Sequence, residues 1–210
     1  MTSAIDFRDT ERKTSELLED VIRSLNGDHI TLRDLIVIMG ENGLLLVCGM
    51  LSLPFLFPVS IPGVSTVFGA GIVLIAVAVT LNRLPWLPAR LADRKLEREK
   101  LVPVLERGVR FLKRIDGLFR RRLSMLTNGA VMNRLNGLAL IGAGALLMLP
   151  LSLVPFSNTL PGIAILLLST GISQRDGLVV AGGYVMIVLT IVYFAALALL
   201  AYGVGASLLA

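Results

Sequence analysis

Apolar residues run almost unbroken through three parts of this chain and alternate with charges elsewhere. No charged residue occurs from Asn42 to Asn82, from Leu135 to Gln174, or after Asp176. A helix crossing a bilayer needs about 20 apolar residues. The first two stretches therefore predict helical hairpins, and Leu178 to about Leu200 predicts one more span. Each hairpin is interrupted near its middle by a similar phrase. The first copy is Leu53-Pro54-Phe55-Leu56-Phe57-Pro58-Val59-Ser60-Ile61-Pro62-Gly63, and the second runs from Leu149-Pro150 through Pro155 to Asn158-Thr159-Leu160-Pro161-Gly162. Proline removes a backbone donor and clashes with the preceding turn. Backbone groups freed at membrane depth must be buried in protein or line a watery cavity.

Arm lengths sharpen the picture. Leu44 to Leu53 covers only about 15 Å as a helix, and Ile163 to Ser173 about 17 Å, against a hydrocarbon core of roughly 30 Å. Val64 to Leu81 and Leu135 to Leu149 are longer. One short arm per hairpin favours re-entrant or discontinuous helices over two plain hairpins with tilted ends, although such mismatch is tolerated at modest cost. Short arms also need protein neighbours to satisfy their backbone, which a homodimer would supply.

Outside these stretches the pattern is amphipathic. Leu17, Leu18, Val21, Ile22 and Leu25 recur at helical spacing from Thr14, and Asn26-Gly27 ends that helix. His29 lies in the turn-like run that follows. Thr31 and Asp34 resemble a capping box for a second helix ending at Met39-Gly40. Residues 89–126 read as an interfacial amphipathic helix, bent at Pro103 and Gly117. Five regions follow: residues 1–41, cytoplasmic helices; 42–82, the first broken hairpin; 83–134, a basic linker; 135–174, the second broken hairpin; 175–210, the last span. The fold class is all-α integral membrane protein, with the hairpins forming an internal repeat.

Charge adds orientation. Residues 1–41 carry 5 Lys/Arg and 9 Asp/Glu, whereas residues 83–134 carry 14 and 5. A basic block that dense stays in the cytoplasm, which puts the N-terminus inside and the C-terminus in the periplasm. Both hairpins then enter from the cytoplasm, so the repeat is parallel; an inverted repeat would need opposite entry. The basic block suits anionic lipid headgroups. Nucleic acid is not expected as a partner, because no recognised module accompanies the charge. The charged N-terminal region starts with no apolar run, so no cleavable signal peptide is expected. Arg83 and Trp86 suit the membrane interface.

Candidate chemistry is sparse. One cysteine, Cys48, and one histidine, His29, leave no His/Cys metal cluster and no internal disulfide. No paired acids, nucleophile set or phosphate loop points to catalysis, and no cofactor is expected. The breaks offer uncharged polarity instead. Candidate substrate contacts are Pro58, Ser60, Pro62, Gly63, Ser65 and Thr66 in the first copy. Their counterparts in the second are Pro155, Ser157, Asn158, Thr159, Pro161 and Gly162. Half-helices beginning at Gly63 and Gly162 would present partly positive amide ends, which suit an anion or a phosphate headgroup. The same residues would equally serve to satisfy backbone at two turns. Arg83, Arg175 and Asp176 are candidates for a gate or headgroup contact, and Asp176 also reads as a helix N-cap.

Taken together, Ile30-Thr31-Leu32-Arg33-Asp34-Leu35, the Leu53-Pro54 to Pro62-Gly63 phrase, Pro85-Trp86-Leu87-Pro88, Asn158-Thr159-Leu160-Pro161 and Arg175-Asp176-Gly177 resemble the ExoD family of bacterial inner-membrane proteins. The resemblance extends from about Thr14 to about Tyr202. It implies a role in exopolysaccharide synthesis and brings no catalytic residues. The expected function is a small, non-enzymatic transporter or lipid-handling protein. Its partners would be membrane lipids and a lipid-linked phosphate carrier. The alternative is a structural or regulatory partner of the polysaccharide synthesis proteins.

Overall fold

The computed structural model describes residues 29–56, 63–81, 95–97, 123–149, 151 and 154–209. Within them the chain is helical, apart from one small strand pairing. The strand β1 (His29–Thr31) pairs antiparallel with β2 (Lys95–Glu97), His29 opposite Glu97 and Thr31 opposite Lys95. This corrects two expectations. His29 opens a strand rather than lying in a turn, and the helix read over residues 89–126 gives way to strand at 95–97. Local periodicity cannot report a pairing between segments so far apart in the chain. The helix predicted from Thr14 lies outside the described residues, as do Pro85–Pro88 and most of the basic linker.

Helix α1 (Leu32–Ser52) begins directly after Thr31 and is broken at Gly40, where φ is 58° and ψ −149°. It stops at Ser52 because Pro54 follows: the residue before a proline is pushed out of the helical region. A 3₁₀ turn, Leu53–Leu56, continues from it. Helix α2 (Val64–Thr80) starts after Gly63, whose φ of 84° is open to glycine and costly for other residues. Helix α3 (Ala130–Leu147) starts before the uncharged stretch and takes Arg134 into its first turns.

Helix α4 (Thr159–Ser173) corrects the expected start near Gly162. It begins earlier because Pro161 falls in the first turn, where a missing N–H costs nothing. Its length is about 22 Å rather than 17 Å. Helix α5 (Gly177–Leu209) runs on past the expected end near Leu200 and carries no charge.

Close approaches at glycines set the helix directions. Gly69 of α2 faces Gly144 and Met148 of α3, while Gly137 of α3 faces Thr80. Gly49 of α1 faces Ser169 of α4, while Gly162 faces Ser52 and Phe55. Gly171 faces Val180, and Gly183 faces Leu168. Each pair therefore runs antiparallel. Helices α1 to α4 close a ring of neighbours, and α5 packs along the outside of α4. Small residues at these crossings let backbones approach where apolar surroundings provide little other drive for association.

The core gathers Leu45, Cys48, Ile72, Leu140, Ile165 and Leu168, all essentially closed to solvent. α4 is buried around most of its circumference, because α1, α3 and α5 all pack on it. Its counterpart in the first half, α2, keeps Val67, Leu74 and Val77 exposed. The two halves are thus unequal in burial, since only the second is covered by α5. Among the described residues, two helical stretches, Ala130–Leu147 and Gly177–Tyr202, are long and apolar enough to cross a membrane.

Candidate functional site

The antiparallel ring places the described parts of both proline-broken phrases at the same end of the bundle. The 3₁₀ turn after α1 and the first turn of α4 touch there. A methyl group on Gly162 would stand 3.0 Å from Phe55 Cβ and 3.6 Å from the Ser52 carbonyl oxygen. Phe55 is buried and packs edge-on against Phe68 of α2, with ring centroids 5.8 Å apart. Residues from the two copies, distant in the chain, thus share one contact.

Within this end the candidate residues differ in what they do. Ser157 is buried and its hydroxyl donates to the Leu151 carbonyl at 2.8 Å, stitching the second break to itself. Asn158 is buried at the N-cap of α4, but its side chain makes no capping hydrogen bond there. Phe156 has φ of 61°, a left-handed conformation that costs a non-glycine residue energy, so the break is backbone held in place by its surroundings. The Pro155 carbonyl accepts a 2.7 Å hydrogen bond from the Tyr193 hydroxyl of α5. Pro161 and Gly162 are buried, Gly162 against Phe55 and Ser52, and Thr159 is half-buried at the helix start. In the first copy, Ser65 is buried on the inner face of α2, Gly63 is exposed, and Thr66 points outward, away from Ser65. Pro58, Ser60, Pro62 and Arg83 lie outside the described residues.

Arg175 and Asp176 are not part of this end. They join α4 to α5 at the opposite end of the bundle. Arg175 adopts φ of 52°, its amide bonds to the Ile172 carbonyl, and the Asp176 amide bonds to that of Gly171 at 2.9 Å. This is the double hydrogen bond of a Schellman helix terminus, with arginine in the position glycine usually holds. Asp176 is buried, and its carboxylate accepts the Leu178 amide at 3.0 Å as the N-cap of α5. The geometry is that of a tight interhelical corner, the N-cap alternative read from the sequence.

Sequence reasoning missed two polar links. Asn136, closed to solvent, donates through Nδ2 to the Leu126 carbonyl at 2.9 Å and accepts through Oδ1 from the Tyr184 hydroxyl at 2.9 Å. It ties α3 to α5. Tyr193 does the same for the second break. The available signal was Asn136, Tyr184 and Tyr193 inside apolar helices, since a polar group buried there requires a partner.

Among the described residues no group of His, Cys, Asp and Glu side chains could hold a metal ion. Fold and site together define an apolar helical-bundle protein with two potential membrane-crossing helices and paired breaks at one end. The sequence pattern of the family described as "Exopolysaccharide synthesis, ExoD" matches residues 14–196, and the chain belongs to this ExoD family. It is similar to the protein named "Protein ExoD" of Rhizobium meliloti, with 57% identity over 205 residues, covering 98% of this chain and 85% of that one. It is also similar to an uncharacterized protein of Synechocystis, 27% identical over 179 residues, covering 85% of this chain and 83% of that protein. No solved structure matches the chain.

Proposed function

We propose that this chain is a multi-pass protein of the bacterial inner membrane that serves exopolysaccharide synthesis by handling a lipid-borne substrate where its two breaks meet. Membership of the ExoD family supports the pathway. Exposed Val67, Val131, Leu138, Val188, Val192 and Leu199 support the bilayer as the bundle's solvent. The basic linker follows α2 at the end opposite the breaks, which supports a cytoplasmic position for that end and a periplasmic-leaflet position for the breaks. No covalent step is assigned; the role is movement or presentation of a lipid.

The observation that carries this reading is the contact of Gly162 with Ser52 and Phe55, which brings the two breaks together. Their depth adds to it. Tyr193, bonded to Pro155, lies about 24 Å along α5 from its start at Gly177. The apolar run continues to Tyr202, about 13 Å further. The breaks therefore lie short of the level that α5 reaches, which supports a position within the lipid layer rather than on its surface.

The test is replacement of Pro58, Pro62, Pro155 and Pro161 together by Ala in a strain lacking the native copy. Polysaccharide output should fall while the protein stays in the membrane. Normal output with normal membrane levels would end the reading.

A second reading has one observation of its own. The pairing of β1 (His29–Thr31) with β2 (Lys95–Glu97) joins the segment after the acidic N-terminal region to the basic linker, which supports a role for these charged regions in holding a protein partner. In that case the chain is a structural or regulatory companion of the synthesis proteins. A synthesis protein would then co-purify with the full chain and be lost when residues 1–40 are deleted.

A further inference from the structure

Every buried polar side chain among the described residues has a partner, with one exception. Ser52, Asn136, Ser157, Ser169, Asp176 and Thr190 are hydrogen-bonded, and Asn158 and Ser173 also have partners. Ser65 is only 4% exposed, yet its hydroxyl makes no hydrogen bond among the described residues. A buried hydroxyl left without a partner costs about 1–3 kcal/mol, and each such group in a native structure asks for a cause.

Its position suggests one. Ser65 is the second residue of α2, a 17-residue helix. The Cα–Cβ bond of a helical residue tilts toward the helix N-terminus, and for α2 that is the break end. It shares its face of α2 with Gly69, which abuts Met148 at the end of α3. The first amides of α2 have no partner within the helix, the Gly63 N-cap supplies no side-chain bond, and a methyl group built on Gly63 would meet nothing within 4 Å. One hydroxyl and a helix start together make a donor-rich, partly positive cradle without a charged side chain.

We propose that Ser65 and the N-terminus of α2 form a site for a phosphate oxygen. This rests on the reading of the breaks as a substrate site and narrows it to one side chain. The absence of a cation within the apolar stretches suits a ligand that must be released rather than stored.

The test uses the purified full chain in detergent, with farnesyl phosphate, farnesol and inorganic phosphate as probes. Wild-type protein should bind farnesyl phosphate at least tenfold more tightly than farnesol. Ser65→Ala should lose about tenfold of that affinity, because it removes a hydrogen bond to a charged group. Ser65→Thr should keep it, and Thr190→Ala, which removes a buried hydroxyl bonded within α5, should not alter it. Without ligand, Ser65→Ala should have an unchanged or higher Tm, since the oxygen it deletes has no partner among the described residues. Competition by inorganic phosphate identifies a free-phosphate site, and no competition identifies a lipid headgroup. Equal binding by wild type and Ser65→Ala, equal binding of farnesol, or a lower Tm for Ser65→Ala would overturn the proposal. Polysaccharide loss in the proline variants alongside any of those results would remove the Ser65 site and leave the substrate reading standing. Normal output with the phosphate preference intact would do the reverse.

Discussion

Gly162→Ala tests whether the two breaks are held together by close packing. The new methyl would stand 3.0 Å from Phe55 Cβ, where ordinary contacts begin near 3.4 Å. Phe55 Cβ is no flexible side-chain end. Its ring is fixed edge-on to Phe68, and the residue is buried. The Ser52 carbonyl at 3.6 Å blocks sideways relief. Overpacking of this kind costs about 1–3 kcal/mol, offset by up to about 1 kcal/mol of helix propensity. A net loss of roughly 1–2 kcal/mol follows. Gly142 provides the matched comparison, because a methyl there meets nothing within 4 Å. Gly142→Ala should gain up to about 1 kcal/mol from propensity alone. The two purified variants should then differ by about 2 kcal/mol when unfolded by SDS titration in mixed micelles. Polysaccharide output should also fall in Gly162→Ala and not in Gly142→Ala. Equal stability of the two variants would refute the contact, and with it the claim that the breaks adjoin.

Three further outcomes follow from the same geometry. Tyr184→Phe leaves the buried Asn136 Oδ1 without its partner and should cost about 1–2 kcal/mol in the same titration. Asp176→Ala removes the cap of α5 and should cost about 1 kcal/mol, while Asp176→Asn retains an acceptor for the Leu178 amide and should cost less. Ile30 and Leu96 are directly opposed across β1 and β2. In a Cys48→Ala background, cysteines at those two positions should form a disulfide on mild oxidation, since opposed residues bring Cα atoms to about 4.5–5.5 Å. Moving one cysteine to an adjacent position should weaken the cross-link.

The apolar helices, their interruptions and the family were all legible before any packing was known. Those are local properties: a charge-free run specifies an apolar environment, and Pro54 ends a helix whatever surrounds it. The capping role of Asp176 was also legible, because an aspartate before a glycine and an apolar run has a short-range use. Other features came only from packing. Helix α4 reaches back to Thr159 because Pro161 is harmless in a first turn and its neighbours bury it. The two breaks lie at one end because glycines fix antiparallel crossings between α1 and α4 and between α2 and α3. Ser65 and Thr66 are alike in the sequence, yet helix rotation buries one and exposes the other. The links Asn136–Tyr184 and Pro155–Tyr193 join segments far apart in the chain. Neither partner's local pattern encodes them, because a hydrogen bond between distant segments exists only once packing has set the helices side by side.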